Sequence, residues 1–144
     1  MSYSYNYLPD IAIADVAFHA RGDSPAELFA AAALATTEVM IKPADIHKRI
    51  ECTVSLRADN MEDLLYEWLS ELIYLKDVER LIFIDFNINI TGGDSTYDLQ
   101  ATLGGEEIDQ NRHELGRDVK AVTYHLFEIK EVNNGYEARV VLDI

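Results

Sequence analysis

Hydrophobic and polar side chains alternate along several stretches of this chain, and strict alternation is typical of a strand with one buried face. Residues 50–58 place apolar side chains at every second position, with Glu, Thr, Ser and Arg between them. Residues 11–20 are apolar at both parities, which indicates a strand covered on both faces. The same reasoning predicts further strands over residues 82–90, 97–103, 119–130 and 136–144.

Turn-forming residues follow three of these strands. Glycine pairs stand at 92–93 and 104–105, where we interpret them as turn glycines. Asn133-Asn134-Gly135 is typical of a hairpin turn. The later strands should therefore be joined by hairpins and pair antiparallel.

Two segments carry helix signals. Ser24-Pro25-Ala26-Glu27 combines an N-cap serine, proline at the first helical position and glutamate three residues after the cap, which predicts a helix over residues 25–40. Asp59 is a second possible cap, with Glu62 three residues on, and apolar residues then recur at helical spacing to about Leu75. The order β-α-β-α-β-β-β-β predicts an α+β fold, in which two helices pack on one face of a mostly antiparallel sheet.

Length and charge narrow the class of protein. A chain of 144 residues has room for one domain, so residues 1–144 are interpreted as a single unit. The net charge of −14 disfavours direct nucleic-acid binding, because such binding depends on Lys and Arg neutralising phosphates. The one cysteine excludes an internal disulfide, and no apolar run is long enough to span a membrane. We expect a cytoplasmic protein with a basic protein partner or a bound cation.

Two aspartates stand out because they lie within or at the end of apolar strands. Asp15 interrupts the first predicted strand, and Asp143 stands between Leu142 and Ile144 in the last. If these two strands are neighbours, the carboxylates of Asp15 and Asp143 and the α-carboxylate of Ile144 gather hard oxygen ligands, which suit Ca²⁺, Mg²⁺ or Mn²⁺. The alternative is that each carboxylate is solvated at a strand end or pairs with an arginine.

Other charged residues allow two interpretations each. Lys120 is an ammonium in an otherwise apolar stretch, where it binds an anion or is a plain solvent-facing lysine. Asp63, Glu67 and Glu71 recur every four residues on the second helix, and such a stripe is commonly a solvated surface. The four histidines form no HExxH pair, and the glycines accompany no phosphate-binding motif. The residues alone indicate no known catalytic machinery.

Four stretches taken together resemble the archease family, the small acidic proteins that assist the RtcB-type, GTP-dependent RNA ligase of tRNA splicing. They are IADVAFHARGDSPAELF (13–29), MEDLLYEWLSELIYL (61–75), GGEEIDQNRHELGRDVKAVTYH (104–125) and RVVLDI (139–144). The resemblance implies an activator without enzymatic activity, which promotes guanylylation and turnover of the ligase. It also implies a metal site, Ca²⁺ first, formed by aspartates near both chain ends.

The resemblance transfers residue by residue. Asp15 matches the aspartate of the family's H-T-A-D-V segment, and Asp143 matches that of its terminal D-I. Glu71 and Lys120 fall in stretches that the resemblance marks as functional, so we assign them to activation of the partner. Ala12 stands where the family commonly has histidine, which leaves a site made of carboxylates alone. Two other functions stay open at this point: an independent metal-dependent hydrolase using the same carboxylates, and a generic acidic protein-binding module.

Overall fold

The computed structural model describes residues 2–9 and 15–144, which form eight strands, two α-helices and one short 3₁₀ turn. The elements in chain order are β1 (Tyr3–Tyr7), β2 (Val16–Gly22), α1 (Pro25–Met40), the 3₁₀ turn (Pro43–Asp45), β3 (Ile50–Ala58), α2 (Met61–Asp77), β4 (Leu81–Gly92), β5 (Tyr97–Glu107), β6 (Ala121–Val122), β7 (Glu128–Val132) and β8 (Gly135–Asp143). In this part of the chain no helix is long and apolar enough to cross a membrane.

The strands form two antiparallel sheets. The five-stranded sheet has the order β1-β2-β8-β6, with β7 pairing β8 beside β6, and the three-stranded sheet has the order β3-β5-β4. Every pair among these strands is antiparallel. The predicted α+β class with mostly antiparallel strands is confirmed. The alternation pattern did not reveal that the strands divide between two sheets, because it reports which face is buried and not which strand is the neighbour.

Both helices contact both sheets. α1 begins as predicted, with the Glu27 N–H donating to Ser24 Oγ at 3.2 Å. Its interior carries fully buried alanines at 31, 32, 33 and 35, and small side chains let β2 and β4 approach it from different sheets. α2 packs on β3 and β4 of one sheet and on β6 and β7 of the other. Buried residues of all these layers therefore join in one core.

Trp68 of α2 lies at the centre of this core. Its side chain is fully buried, its Nε1–H donates to Phe29 O of α1 at 3.1 Å, and its ring meets Phe86 of β4 edge-on with centroids 6.0 Å apart. An indole N–H that is buried without a partner costs free energy, so this hydrogen bond makes the central position of tryptophan compatible with burial. One side chain thus connects both helices with the smaller sheet.

Several element boundaries differ from the sequence predictions. The cap of α2 is Asn60, whose Oδ1 accepts the Asp63 N–H at 2.8 Å, and not Asp59. The stretch 119–130 is two short strands rather than one, because Leu126 between them has a φ of 55°, outside the range of a strand. Strand β1 was not predicted, since its tyrosines alternate with Ser and Asn and lie mostly exposed.

The predicted first strand is described only in part, as β2, because residues 10–14 lie outside the described residues. Gly104 and Gly105, interpreted as turn glycines, lie inside β5 instead. A Cβ atom on Gly105 would stand 1.9 Å from Ile82 O, next to the bulge of β4 between Phe83 and Asp85. Glycine is needed there for close approach of two backbones and not for a turn.

Candidate functional site

An early strand, β2, and the last strand, β8, are neighbours inside the five-stranded sheet, and the end of this strand pair is called the acidic edge below. β2 pairs with β8, and the last partners of this ladder are Val16 and Leu142. Asp15 precedes Val16 and Asp143 follows Leu142, so both aspartates lie just beyond this last pair, at the same end of the two neighbouring strands. The topology thus satisfies the condition that the two strands are neighbours.

Asp15 and Asp143 belong to the face of the sheet that points away from the core. Phe18, Val140 and Leu142 alternate with them and are fully buried in the core. Both aspartates are half-buried. Partial exposure keeps a carboxylate available to a cation or a partner, because it is neither fully desolvated nor screened by bulk water on all sides.

The segment before β6 reaches the same edge. The Lys120 N–H donates to Asp143 O at 2.8 Å, and the next residue, Ala121, pairs with Asp143 in the ladder. The Lys120 side chain is exposed. The backbone of Lys120 is therefore fixed next to Asp143, on the side of β8 opposite to Asp15.

Lys76, near the end of α2, holds this segment in place. Its Nζ donates to Val119 O at 2.9 Å and lies 3.0 Å from Asp118 Oδ1 and 2.7 Å from Asp77 Oδ1. The Lys76 side chain is only 12% exposed, while the carboxylates of Asp118 and Asp77 are 75% and 48% exposed, so the part-buried hydrogen bond to Val119 O is the most shielded of these contacts. Sequence reasoning missed Lys76, because a lysine in the last turn of a helix has an ordinary role next to the helix dipole.

Glu71 lies in a different environment. It is half-buried on α2, near Cys52 of β3 in the smaller sheet. Burial, followed by the negative charges of Glu71 and Glu79, raises the pKa of the Cys52 thiol. Nothing in these contacts joins Glu71 to Asp143. Its assignment to partner activation stays a prediction.

A cleft of about 500 Å³ adjoins Asp15. It is lined by Tyr7 at the end of β1, by Leu8 after it, by Glu38 of α1 and by Arg117, among others. The Tyr7 hydroxyl lies 2.9 Å from Glu38 Oε2 and 2.8 Å from Ala35 O. Burial, then the hydrogen bond with Glu38, raises the pKa of Tyr7, so this hydroxyl stays protonated and acts as a donor.

The described oxygen ligands at this edge are of the type that hard cations prefer, but they are too few to complete the coordination of such an ion. Among the described residues, no group of three or more His, Cys, Asp and Glu side chains is arranged to hold a metal ion. Asp15 and Asp143 supply oxygen, the ligand that Ca²⁺ and Mg²⁺ prefer, yet Ca²⁺ takes six to eight oxygens. The Ile144 side chain packs against the core, which fixes the residue that follows Asp143. The expectation concerning Ala12 lies outside the described residues.

A buried charged network at the far end of β5 was not predicted. Glu106 is 3% exposed and accepts hydrogen bonds from Arg112, from His113 Nε2 at 3.1 Å and from the His47 N–H at 2.5 Å. Burial alone raises the pKa of Glu106, but these hydrogen bonds outweigh it and lower the pKa to about 2. A signal existed in the polar stretch after Gly105, where Glu106 and His113 stand seven residues apart. Because both carboxylate oxygens of Glu106 have hydrogen-bond partners, we assign this network a structural role.

Comparison with known proteins decides the family. The profile of the Archease protein family matches residues 5–144. The curated Protein archease of Pyrococcus furiosus is 38% identical over 132 residues, which cover 91% of this chain and 93% of that protein. The chain belongs to the archease family. The Protein archease of Methanosarcina mazei is also similar, with 36% identity over 97% of this chain and 95% of its own length. The resemblance stated from the sequence is thereby confirmed.

Solved structures of archeases share the fold. The solution structure of a Methanobacterium thermoautotrophicum protein superposes with a TM-score of 0.82 at 33% identity, and covers 99% of this chain and 98% of that one. A crystal structure from Thermotoga maritima, described as an archease and possible chaperone, has a TM-score of 0.62 at 20% identity over 92% of this chain and 93% of its own. The second likeness supports the fold alone.

Proposed function

We propose that this archease is a non-enzymatic activator of an RtcB-type, GTP-dependent RNA ligase in tRNA splicing, which promotes guanylylation and turnover of the ligase through an acidic metal-binding edge. Membership of the archease family supports an accessory role. The observation that supports the proposal is the pairing of Val16 with Leu142, because Asp15 and Asp143 are the next residues at the same end of these two neighbouring strands. Among the ion pairs of the described residues, none includes Asp15 or Asp143.

The carboxylates of Asp15 and Asp143, with the predicted α-carboxylate of Ile144, would hold a divalent cation, Ca²⁺ first and Mg²⁺ or Mn²⁺ as alternatives. Such an ion supplies positive charge that stabilises developing phosphate charge. Because the described residues offer fewer ligands than Ca²⁺ requires, further positions would be open to water or to a group of the partner. An incomplete set of metal ligands suits a site whose coordination is completed by the partner in a complex.

The chain's own residues act by placement and charge. A net charge of −14 draws the protein to the basic surroundings of an RNA-binding active centre and orients it there. The backbone of Lys120, bonded to Asp143 O, keeps the exposed lysine next to the acidic edge. There Lys120 is positioned to meet an anionic group of the partner or its nucleotide, while Asp15 and Asp143 face cationic groups.

Ligation of a split tRNA by limiting RtcB-type ligase tests the proposal. The wild-type chain should stimulate multiple-turnover ligation and the formation of guanylylated ligase. Asp143→Asn should lose most of both effects, because it removes a charge and keeps the side-chain volume. Asp94→Asn, in the exposed turn between β4 and β5, is the matched control and should stimulate like the wild type. Full stimulation by a folded Asp143→Asn variant would falsify the site assignment.

One observation favours a second function, an independent metal-dependent hydrolase. Asp15 lines a cleft of about 500 Å³ that also presents Glu38 and Arg117, which is a size suited to a small molecule. A hydrolase needs such a concavity with a base in reach of a metal-bound water. Metal-dependent turnover of a phosphoester substrate by the isolated chain, lost in Asp143→Asn, would support this function. Stimulation of the ligase without such turnover would support the activator.

A further inference from the structure

Three aromatic side chains, one of them exposed and two half-buried, pack together where the loop after β6 meets α2. Tyr124, in the loop between β6 and β7, stacks on Tyr66 of α2 with ring centroids 4.1 Å apart and planes 5° from parallel. Phe127 meets both rings edge-on, at 6.0 Å and 6.1 Å. We call Tyr66, Tyr124 and Phe127 the aromatic platform. Tyr124 is 63% exposed, so one face of a large ring is open to solvent although its other face is packed.

The loop that carries Tyr124 is held in a fixed shape. The Thr123 N–H and hydroxyl both donate to Val141 O, at 3.0 Å and 2.9 Å, and Arg139 Nε donates to Leu126 O at 2.9 Å. Leu126 has a φ of 55°, a left-handed conformation that costs a residue with a Cβ atom roughly 1–2 kcal/mol. Backbone strain of this kind persists where the surrounding contacts determine the shape, and it concentrates at binding surfaces. The platform is thus preorganised for contact.

The charges around the platform are negative. Asp63 and Glu67 lie on α2 next to Tyr66; burial, Tyr66 and the charges of these two carboxylates raise the pKa of Tyr124. Arg139, which contacts this loop through Leu126 O, is paired with Glu128 at 2.7 Å. The face of an aromatic ring is itself the negative end of a quadrupole. An exposed ring face stacked on the helix that carries Asp63 and Glu67 therefore attracts a cation and repels phosphate.

We propose that the aromatic platform, with Asp63 and Glu67, is the docking site for an arginine side chain on a basic surface of a partner protein. A guanidinium stacks on an open tyrosine ring and donates two parallel hydrogen bonds to a carboxylate, whereas an ammonium acts only as a point charge. Buried tyrosine and arginine contacts carry much of the binding free energy in protein interfaces. The identification of the ligase as this partner rests on the proposed function. The preference of the platform for an arginine side chain does not depend on that function.

A first experiment needs no ligase. Tyrosine ring signals are followed by NMR while tri-arginine, tri-lysine or oligouridylate is added to the full chain. Tri-arginine should shift the Tyr66 and Tyr124 signals at millimolar concentration, tri-lysine should do so several-fold more weakly, and Glu67→Gln should weaken the response. Absence of any platform response to tri-arginine overturns the proposal. A response to oligouridylate alone identifies a nucleic-acid surface instead and overturns it equally.

A second experiment measures the Kd of the complex with the RtcB-type ligase. Tyr124→Ala should weaken binding at least tenfold, and Tyr124→Phe, which keeps the ring, should bind like the wild type. Tyr74→Ala is the matched control, because Tyr74 lies on the same helix and is 50% exposed. Circular dichroism checks that each variant is folded. If the wild-type chain binds the ligase and Tyr124→Ala binds equally well, the docking site is refuted and the activator function stands. If the wild-type chain does not bind the ligase, the proposed function fails and the peptide titration decides the platform.

Discussion

His113 Nε2 lies 3.1 Å from Glu106 Oε2, and both side chains are almost completely buried. The Asp109 N–H donates to His113 Nδ1 at 2.8 Å, so Nδ1 carries no proton and the neutral ring donates from Nε2 to the carboxylate. Arg112 donates to the other carboxylate oxygen and, through Nη1, to Asp45 O at 2.8 Å. The network joins the end of β5 to the 3₁₀ turn after α1.

We predict that acid weakens the fold through Glu106. Its pKa is lowered to about 2 in the folded chain from an ordinary value of 4.5, because hydrogen bonds to the ionised form outweigh burial. A lowered folded-state pKa gives stability that is complete above the unfolded value and is lost as the pH falls through the folded value. The free energy of unfolding in urea should therefore fall between pH 4.5 and 2.

Glu106→Gln is the control for that pH dependence. At neutral pH it should lower the free energy of unfolding by about 1–3 kcal/mol, since buried donors lose an ionised acceptor. Between pH 4.5 and 2 it should show a shallower decline than the wild type. Equal slopes in the two proteins would assign the acid sensitivity to other carboxylates.

Local sequence signals were sufficient for elements whose own residues determine them. The capping box at Ser24 and the alternation of residues 50–58 predicted the start of α1 and the bounds of β3 as the structure has them. Signals failed where tertiary contact decides. Gly105 resembles a turn residue in sequence, and only the approach of β4 explains it. Leucine rarely adopts a left-handed backbone, and at Leu126 this conformation is held by a hydrogen bond from Arg139 of another strand.

The candidate site was predictable for a similar reason. Asp15 and Asp143 each contradict an apolar strand, so each was visible alone, and their meeting required only that the first and last predicted strands be neighbours. Lys76 was not visible, because its buried contacts come from a segment more than forty residues away. The aromatic platform was not visible either, since Tyr66 and Tyr124 are ordinary in their own segments and gain meaning only when stacked.

Gly104 and Gly105 allow a test of why glycine is needed in β5, for close approach of two backbones or for backbone flexibility. Gly105→Ala should destabilise the chain by about 3 kcal/mol, because its Cβ would stand 1.9 Å from Ile82 O and force β4 and β5 apart. Gly104→Ala should cost under about 1 kcal/mol, since its Cβ would meet only side-chain atoms at 3.3 Å. Urea denaturation of the two variants measures the difference. Equal losses would mean that flexibility of the strand, and not steric contact, requires glycine.

Lys76 should act on the candidate site from a distance. Lys76→Met keeps the apolar stem and removes the donors to Asp118 and Val119 O, which should lower the free energy of unfolding by about 1 kcal/mol. The amide proton of Lys120, bonded to Asp143 O, should then exchange with solvent faster. Lys130→Met is the control, because Lys130 makes only an exposed pair with Glu128. Unchanged exchange at Lys120 in the folded Lys76→Met variant would show that the segment is held without Lys76.

Calcium should stabilise the chain through Asp15 and Asp143. Two carboxylates provide few of the oxygens that Ca²⁺ takes, so we expect a Kd of about 10⁻⁴–10⁻³ M, as in weak calcium sites. Calcium at ten times the Kd should raise the free energy of unfolding by about 1.4 kcal/mol. Asp143→Asn should abolish this gain and Asp94→Asn should keep it. A chain with a net charge of −14 also gains from simple screening, so NaCl at matched ionic strength is compared in parallel. Equal gains from both salts, or in both variants, would mean that calcium relieves general repulsion and that the two aspartates hold no ion.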